Sequence, residues 1–172
     1  LDIDTLRSTA TIKKIASKAD AEYTLIYTKS ASLRLGMFAL NRMLQIAADS
    51  GAGMVYADHY QIANNEKKNS PVITYQKGSL RDDFNFGSVL IYKSDRLKKA
   101  VADMETEYKF AGIYDLRLKV SQESEIVHIN EYLYTEIEND TRKSGEKVFD
   151  YVDPKNREVQ IEMEKACTKH LK

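Results

Sequence analysis

The chain has 172 residues, enough for one domain with a sizeable core. Its 26 basic and 26 acidic side chains cancel, which argues against a nucleic-acid partner because no basic excess is available to neutralise phosphates. The single cysteine, Cys167, rules out an internal disulfide or a thiolate metal cluster, and no apolar run approaches the ~18 residues of a membrane span.

In chain order, Ser8-Thr9 offers an N-cap, and Ile12, Ile15, Ala16 and Ala19 recur at helical spacing, so a helix is expected over 9–19. Residues 23–27 (YTLIY) form a short apolar strand that runs into Thr28-Lys29-Ser30. Leu33, Met37, Leu40, Met43, Leu44 and Ala47 then predict an amphipathic helix from 33 to 49, stopped at Gly51. The next strand is 53–57, ending at Asp58-His59, and the polar stretch 64–71 is a loop or hairpin turn. Short strands are expected at 72–75 and at 86–92, the second with a tight glycine at Gly87. A helix over 95–107, a short helix or turn over 114–121 and a strand over 125–134 complete the pattern.

After residue 138 the composition becomes charged and irregular, and 157–171 reads as a polar helix with a thin apolar stripe at Ile161, Met163 and Leu171. The expected division is therefore an α/β domain over 1–138 and a charged extension over 139–172, the latter a connection to a second domain of the same parent chain. The start at Leu1, without a methionine, fits a piece of something longer. With one cysteine and no signal peptide, the expected location is cytoplasmic. The alternation of helices and strands predicts an α/β fold, a layered sheet flanked by helices.

In such folds ligands collect at the carboxyl ends of strands, which draws attention to Lys29 and to Asp58-His59. Asp58 and His59 either hold a metal or a ribose, or cap a turn. In 78-GSLRDDFNFGS-88, Arg81 suits a bidentate grip on phosphate, while Asp82 and Asp83 either orient a sugar hydroxyl or bond local amides in a turn. Asp115 either acts as a general base or favours the start of its helix through the dipole. His128 and Asn130 alternate with apolar residues, as on the outer face of a half-buried strand.

The order of these segments resembles family 2 glycosyltransferases, which have the A-type nucleotide-sugar fold. The resemblance runs over roughly residues 8–138: 22-EYTLIYTKS-30, 54-MVYAD-58, 87-GSVLIYKSDRLKKA-100, 112-GIYDLRLKVSQ-122 and 126-IVHINEYLYTEIE-138. Its most specific part is Y-D-L-R-L followed about ten residues later by H-I-x-E-x-L-Y. The resemblance implies a nucleotide-sugar donor, a glycan acceptor with a free hydroxyl, and a divalent Mg or Mn ion. It implies Asp115 as catalytic base and Lys29, Asp58, Arg81, Asp82 and Asp83 as substrate-binding residues. The family's metal-binding Asp-x-Asp falls on Tyr27-Thr28-Lys29, and its Glu-Asp pair falls on Gly112-Ile113. The family's first strand is expected before Leu6. The alternative is a non-catalytic domain of the same fold, serving as scaffold or sugar-binding module.

Overall fold

The computed structural model describes residues 5–137 and 155–172. The elements are α1 (Thr9–Ala16), β1 (Tyr23–Tyr27), β2 (Ser32–Leu35), α2 (Ala39–Ser50), β3 (Met54–Ala63), β4 (Glu66–Ser70), β5 (Val89–Lys93), α3 (Ser94–Ala102), α4 (Gly112–Glu123), β6 (Ile126–Ile137) and α5 (Lys155–His170). The fold is mixed α/β, with a six-stranded sheet flanked by helices; the strand order is β1-β5-β3-β6-β2, and β4 adds to β3. Among the described strands only β3 and β6 run parallel; the other pairings are antiparallel.

β3 and β5 begin as continuous apolar runs because both faces of the sheet are covered. Met54, Tyr56, Leu90 and Tyr92 point into one core with Ile12 of α1, Leu97 of α3 and Leu116 and Val120 of α4. Val55, Ala57, Val89 and Ile91 point into the other, against Met43 and Ala47 of α2. Alternation along each strand thus divides the apolar residues between two layers of helix. A smaller cluster joins α4 to α5 through Tyr114, Leu118 and the fully buried Ala166.

Several expected boundaries move. The predicted helix over 33–49 is a short strand followed by a later helix. Residues 32–35 pair with 134–137 of β6, and Gly36 N–H donates to Leu133 O at 2.8 Å. Pairing to a distant strand here overrides the helical spacing. α2 consequently buries Ala39, Met43 and Ala47, while Met37 is left 89% exposed. Within the polar 64–71 stretch only Asn64 and Asn65, both at positive φ (52° and 62°), form the hairpin turn; Glu66–Ser70 is the strand β4, paired back on β3.

Residues 72–75 are not a strand, because side chains take their backbone bonds. Val72 N–H donates to Asp58, and Tyr75 N–H donates to the Tyr56 hydroxyl, which itself donates to Ile73 O. α1 stops at Ala16, short of the expected 19; α3 stops at Ala102, short of 107; and β5 begins at Val89 rather than 86. α4 and β6 run longer than expected, and so does β3, which continues to Ala63, so that Asp58 and His59 lie within the strand and not at its carboxyl end.

The expected domain boundary at 138 and the irregular segment after it lie outside the described residues. α5 forms where the charged helix was expected. Its inward stripe is Met163, Ala166 and Cys167, whereas Ile161 and Leu171 are exposed. It docks through chemistry as well as packing. α4 starts without a capping side chain of its own, and the Glu162 carboxylate accepts the N–H groups of Lys109, Phe110 and Ala111 at 3.1, 2.7 and 3.2 Å. No described helix is long and apolar enough to cross a membrane.

Candidate functional site

A cleft of about 590 Å³ opens at the carboxyl end of β1. It is lined by the 5–7 segment, by Thr28 and Lys29, by much of the 81–87 loop and by Ile113, Tyr114 and Arg117 of α4, with Met163 of α5 at one side. Local chemistry fixes each wall. The 5–9 segment is tied to the start of α4: Thr9 N–H donates to Tyr108 O at 2.9 Å, and Gly112 N–H donates to Arg7 O at 2.7 Å. A side chain at Gly112 would meet the backbone of Arg7, Ser8 and Thr9 at 2.6–2.7 Å, so only glycine permits this approach and holds Arg7 at the cleft. The 81–87 loop is anchored at Gly87 (φ 71°), where a Cβ would meet the Tyr134 hydroxyl at 2.3 Å. That hydroxyl accepts the N–H of Ser88 at 2.8 Å.

The structure brings some of the expected site residues to this cleft and not others. Lys29 and Arg81 line it, as does Asp82, which is the only carboxylate among the described lining residues. Asp83 turns instead to Arg81, with Nε–Oδ1 at 3.0 Å and Nη2–Oδ2 at 2.9 Å, so the exposed Arg81 is already paired. Asp58 is 1% exposed and does not line the cleft. Its Oδ1 accepts Val72 N–H at 2.9 Å and bonds His128 Nε2 at 2.8 Å, which ties the 72–75 segment down. The β3–β6 register shifts on either side of Asp58, and Asp58 and His59 point to opposite faces of the sheet, the first to His128 and the second to Glu136. Asp115 is 4% exposed and also stands apart from the lining. Burial pushes its carboxyl above the ordinary range, an effect that Lys119 and Lys169 oppose.

Lys29 extends from the end of β1 to Glu136, whose side chain is fully buried. Burial alone would raise the Glu136 carboxyl. Its polar neighbours, the Lys29 ammonium foremost, hold it below the ordinary value instead. Gln61 Nε2 adds a bond to the same carboxylate at 3.3 Å. His59 lies 3.4 Å from Glu136 and stacks on Tyr134 with ring centroids 5.0 Å apart, and burial lowers its imidazole.

Two features of the cleft were not singled out from sequence. Arg117 is 3% exposed yet lines the cleft. Its Nη1 donates to Ser79 O at 2.7 Å and its Nη2 to Arg81 O at 2.8 Å, and the guanidinium lies 4.8 Å from the Tyr114 ring centre. Arg7, an exposed cation, lines the opposite part of the wall. The sequence holds one clue to Arg117: it stands four residues after Ile113 and three after Tyr114, so on one stripe with them, in a helix buried nearly all round. Phe84 and Phe86 add an aromatic surface, their ring centres 4.4 Å apart and tilted by 37°.

The divalent ion that the resemblance implies does not fit these donors. At the end of β1 the Tyr27 hydroxyl donates to Ala31 O, the Thr28 hydroxyl donates to Ser88 O at 3.4 Å, and Lys29 engages Glu136. Magnesium and manganese require oxygen ligands, and an ammonium at this position repels them. Among the described residues no three His, Cys, Asp or Glu side chains gather into a metal site. What the cleft can do chemically is hold an anion against cations and present flat apolar groups to an aromatic pair. Neither the known family models nor the curated proteins contain a match to this chain.

Proposed function

We propose that this chain is a glycosyltransferase-like domain of the nucleotide-diphospho-sugar transferase fold, which holds a nucleotide-sugar in the cleft at the end of β1 and passes the sugar to a hydroxyl of a glycan acceptor. One observation carries the reading. Residues 28–29 and the 81–87 loop, widely separated in sequence and both singled out there, line one cavity together with Ile113, Tyr114 and Arg117 from the 112–122 segment of the resemblance. They meet where an α/β sheet ordinarily receives its ligand.

In the transfer, the acceptor oxygen forms a bond to the anomeric carbon, and the bond from that carbon to the diphosphate oxygen breaks. The nucleoside diphosphate leaves with the electron pair, and the acceptor proton goes to a carboxylate. Asp82 is the carboxylate placed to take it, since it lines the cleft, and it lies in the field of Arg81 and Tyr114 rather than in a hydrogen-bonded ion pair with either. Asp115 would have to reach the cleft from another face of α4. The leaving diphosphate gains charge, which the cations of the cleft offset. Phe84 and Phe86 suit the flat face of a base or a sugar ring.

The position of Asp115 favours a second reading, in which the domain binds the nucleotide-sugar without turning it over. One assay addresses both: release of nucleoside diphosphate from a panel of common nucleotide-sugars, with simple sugars as acceptors, beside calorimetric binding of the same donors. Turnover with one donor supports transfer. Binding without turnover supports the accessory role. Absence of binding by every donor overturns both.

A further inference from the structure

Among the described residues, the cleft is lined by four cations, Arg7, Lys29, Arg81 and Arg117, against one carboxylate, Asp82. This is a local imbalance in a chain whose formal charges sum to zero. Two of the cations are matched internally, Lys29 by Glu136 and Arg81 by Asp83. The other two are not. Arg7 has no ion pair among the described residues. Arg117 is bonded only to two backbone carbonyls and flanked by aromatic rings, with no carboxylate among the described residues.

A guanidinium that is 97% buried and lacks a counter-charge is an expensive arrangement in a fold, because desolvation is not offset by an opposite charge. It becomes favourable when an anion enters beside it. The planar donor fork of arginine suits phosphate oxygens in particular.

We infer that the cleft is a metal-independent diphosphate site in which Arg117 and Arg7 supply the positive charge that a divalent ion would otherwise bring, with Lys29 as a third cation shared with Glu136. The inference deepens the nucleotide-sugar reading and rests on it for the choice of a diphosphate over other anions. It also accounts for the unsuitable donors at the end of β1. An ammonium stands where a metal would need oxygen, and the charge is delivered from α4 and the 5–7 segment instead.

The test is calorimetry on the whole chain with inorganic pyrophosphate and with uridine diphosphate, each in EDTA and in excess manganese. The expected result is binding in EDTA within about twofold of that in manganese. Arg7→Gln, at an exposed site that tolerates change, should weaken binding by about three- to tenfold, and Arg117→Lys by about tenfold or more. Circular dichroism and the unfolding midpoint show whether the second variant is folded; if it is not, Arg7→Gln carries the comparison.

Binding seen only with manganese overturns the inference, as does metal-free binding unchanged in the folded variants. Inorganic sulfate binding as tightly as pyrophosphate also overturns it, since that marks a generic basic patch. The parent reading fails separately. Nucleotide-sugar binding that needs manganese keeps the reading and removes the inference. Metal-free pyrophosphate binding that no nucleotide or nucleotide-sugar improves upon keeps the site and removes the transferase.

Discussion

Asp115 and Arg117 lie two residues apart on α4, both nearly inaccessible, and they meet opposite circumstances. Two residues on a helix turn roughly 200°, so the two side chains leave on different faces. Arg117 lines the cleft and donates to two carbonyls, and among the described residues no carboxylate bonds to it. Asp115 stays out of the lining and has lysines in its field, with burial working against its charge. From the sequence, an acid in a first helical turn was the candidate for chemistry and the arginine passed unremarked. The fold points the other way: the buried charge facing an open cavity is the one with capacity left for a ligand.

The largest effect expected from this contrast is on turnover. If transfer occurs, Asp82→Asn should lower the rate by ~10²–10⁴, the usual range for a general base, while donor affinity stays within a few-fold. Asp115→Asn should leave the rate unchanged. A large loss in Asp115→Asn with Asp82→Asn unaffected breaks the contrast.

The next effect is on stability. Lys29→Met removes the main counter-charge of the buried Glu136 carboxylate and leaves it the weaker bond from Gln61, so urea unfolding should show a loss of about 2–3 kcal/mol, given that the pair is only partly shielded from water. Adding Glu136→Gln should recover most of it. Arg117→Lys, which gives up the fork across Ser79 O and Arg81 O, should cost about 1–2 kcal/mol. Its ligand affinity should fall by more than this stability loss alone explains. The smallest change is Asp115→Asn, expected to move stability by less than about 1 kcal/mol at neutral pH.

The pH dependence separates the same groups. His59 is held below its ordinary 6.5, so its contribution is present above that pH and is lost as pH falls through the lower folded value. Glu136, held below 4.5, follows the same sign further into acid. Asp115, raised above 3.8, has the reverse sign: its contribution is complete below that pH and is lost as pH rises. The urea midpoint should therefore decline below pH 6.5. Asp115→Asn should gain on the wild type as pH rises above the carboxylate range. A flat midpoint across that acid range would contradict the buried placement of His59 and Glu136.

The parts of the fold legible in sequence were those set by local burial. β3 and β5 announce themselves by apolar runs, because both of their faces are covered. β2 was hidden because its partner is a hundred residues away in β6, and Leu33 satisfies a helical stripe as readily as a strand facing the α2 core. The 72–75 segment has the apolar look of a strand, yet its bonds go to Asp58 and Tyr56, side chains that no periodicity reveals. At the cleft, Lys29, Arg81 and Asp82 were accessible to reasoning because they follow a strand or sit in a glycine-flanked loop. Arg117 was not, since a charged residue in a helix is ordinarily assigned to solvent.

The most direct measurement of the central claim is hydrogen exchange by mass spectrometry on the whole chain, with and without a saturating nucleotide-sugar or uridine diphosphate, in EDTA. Protection should concentrate in segments carrying residues 5–9, 28–29, 79–88 and 110–117, the walls of the cleft, and in Arg7→Gln it should require about a three- to tenfold higher ligand concentration to reach the same level. Protection confined to other surfaces, such as the groove between α1 and β1, or no protection with any nucleotide, would contradict the placement of the ligand at the end of β1.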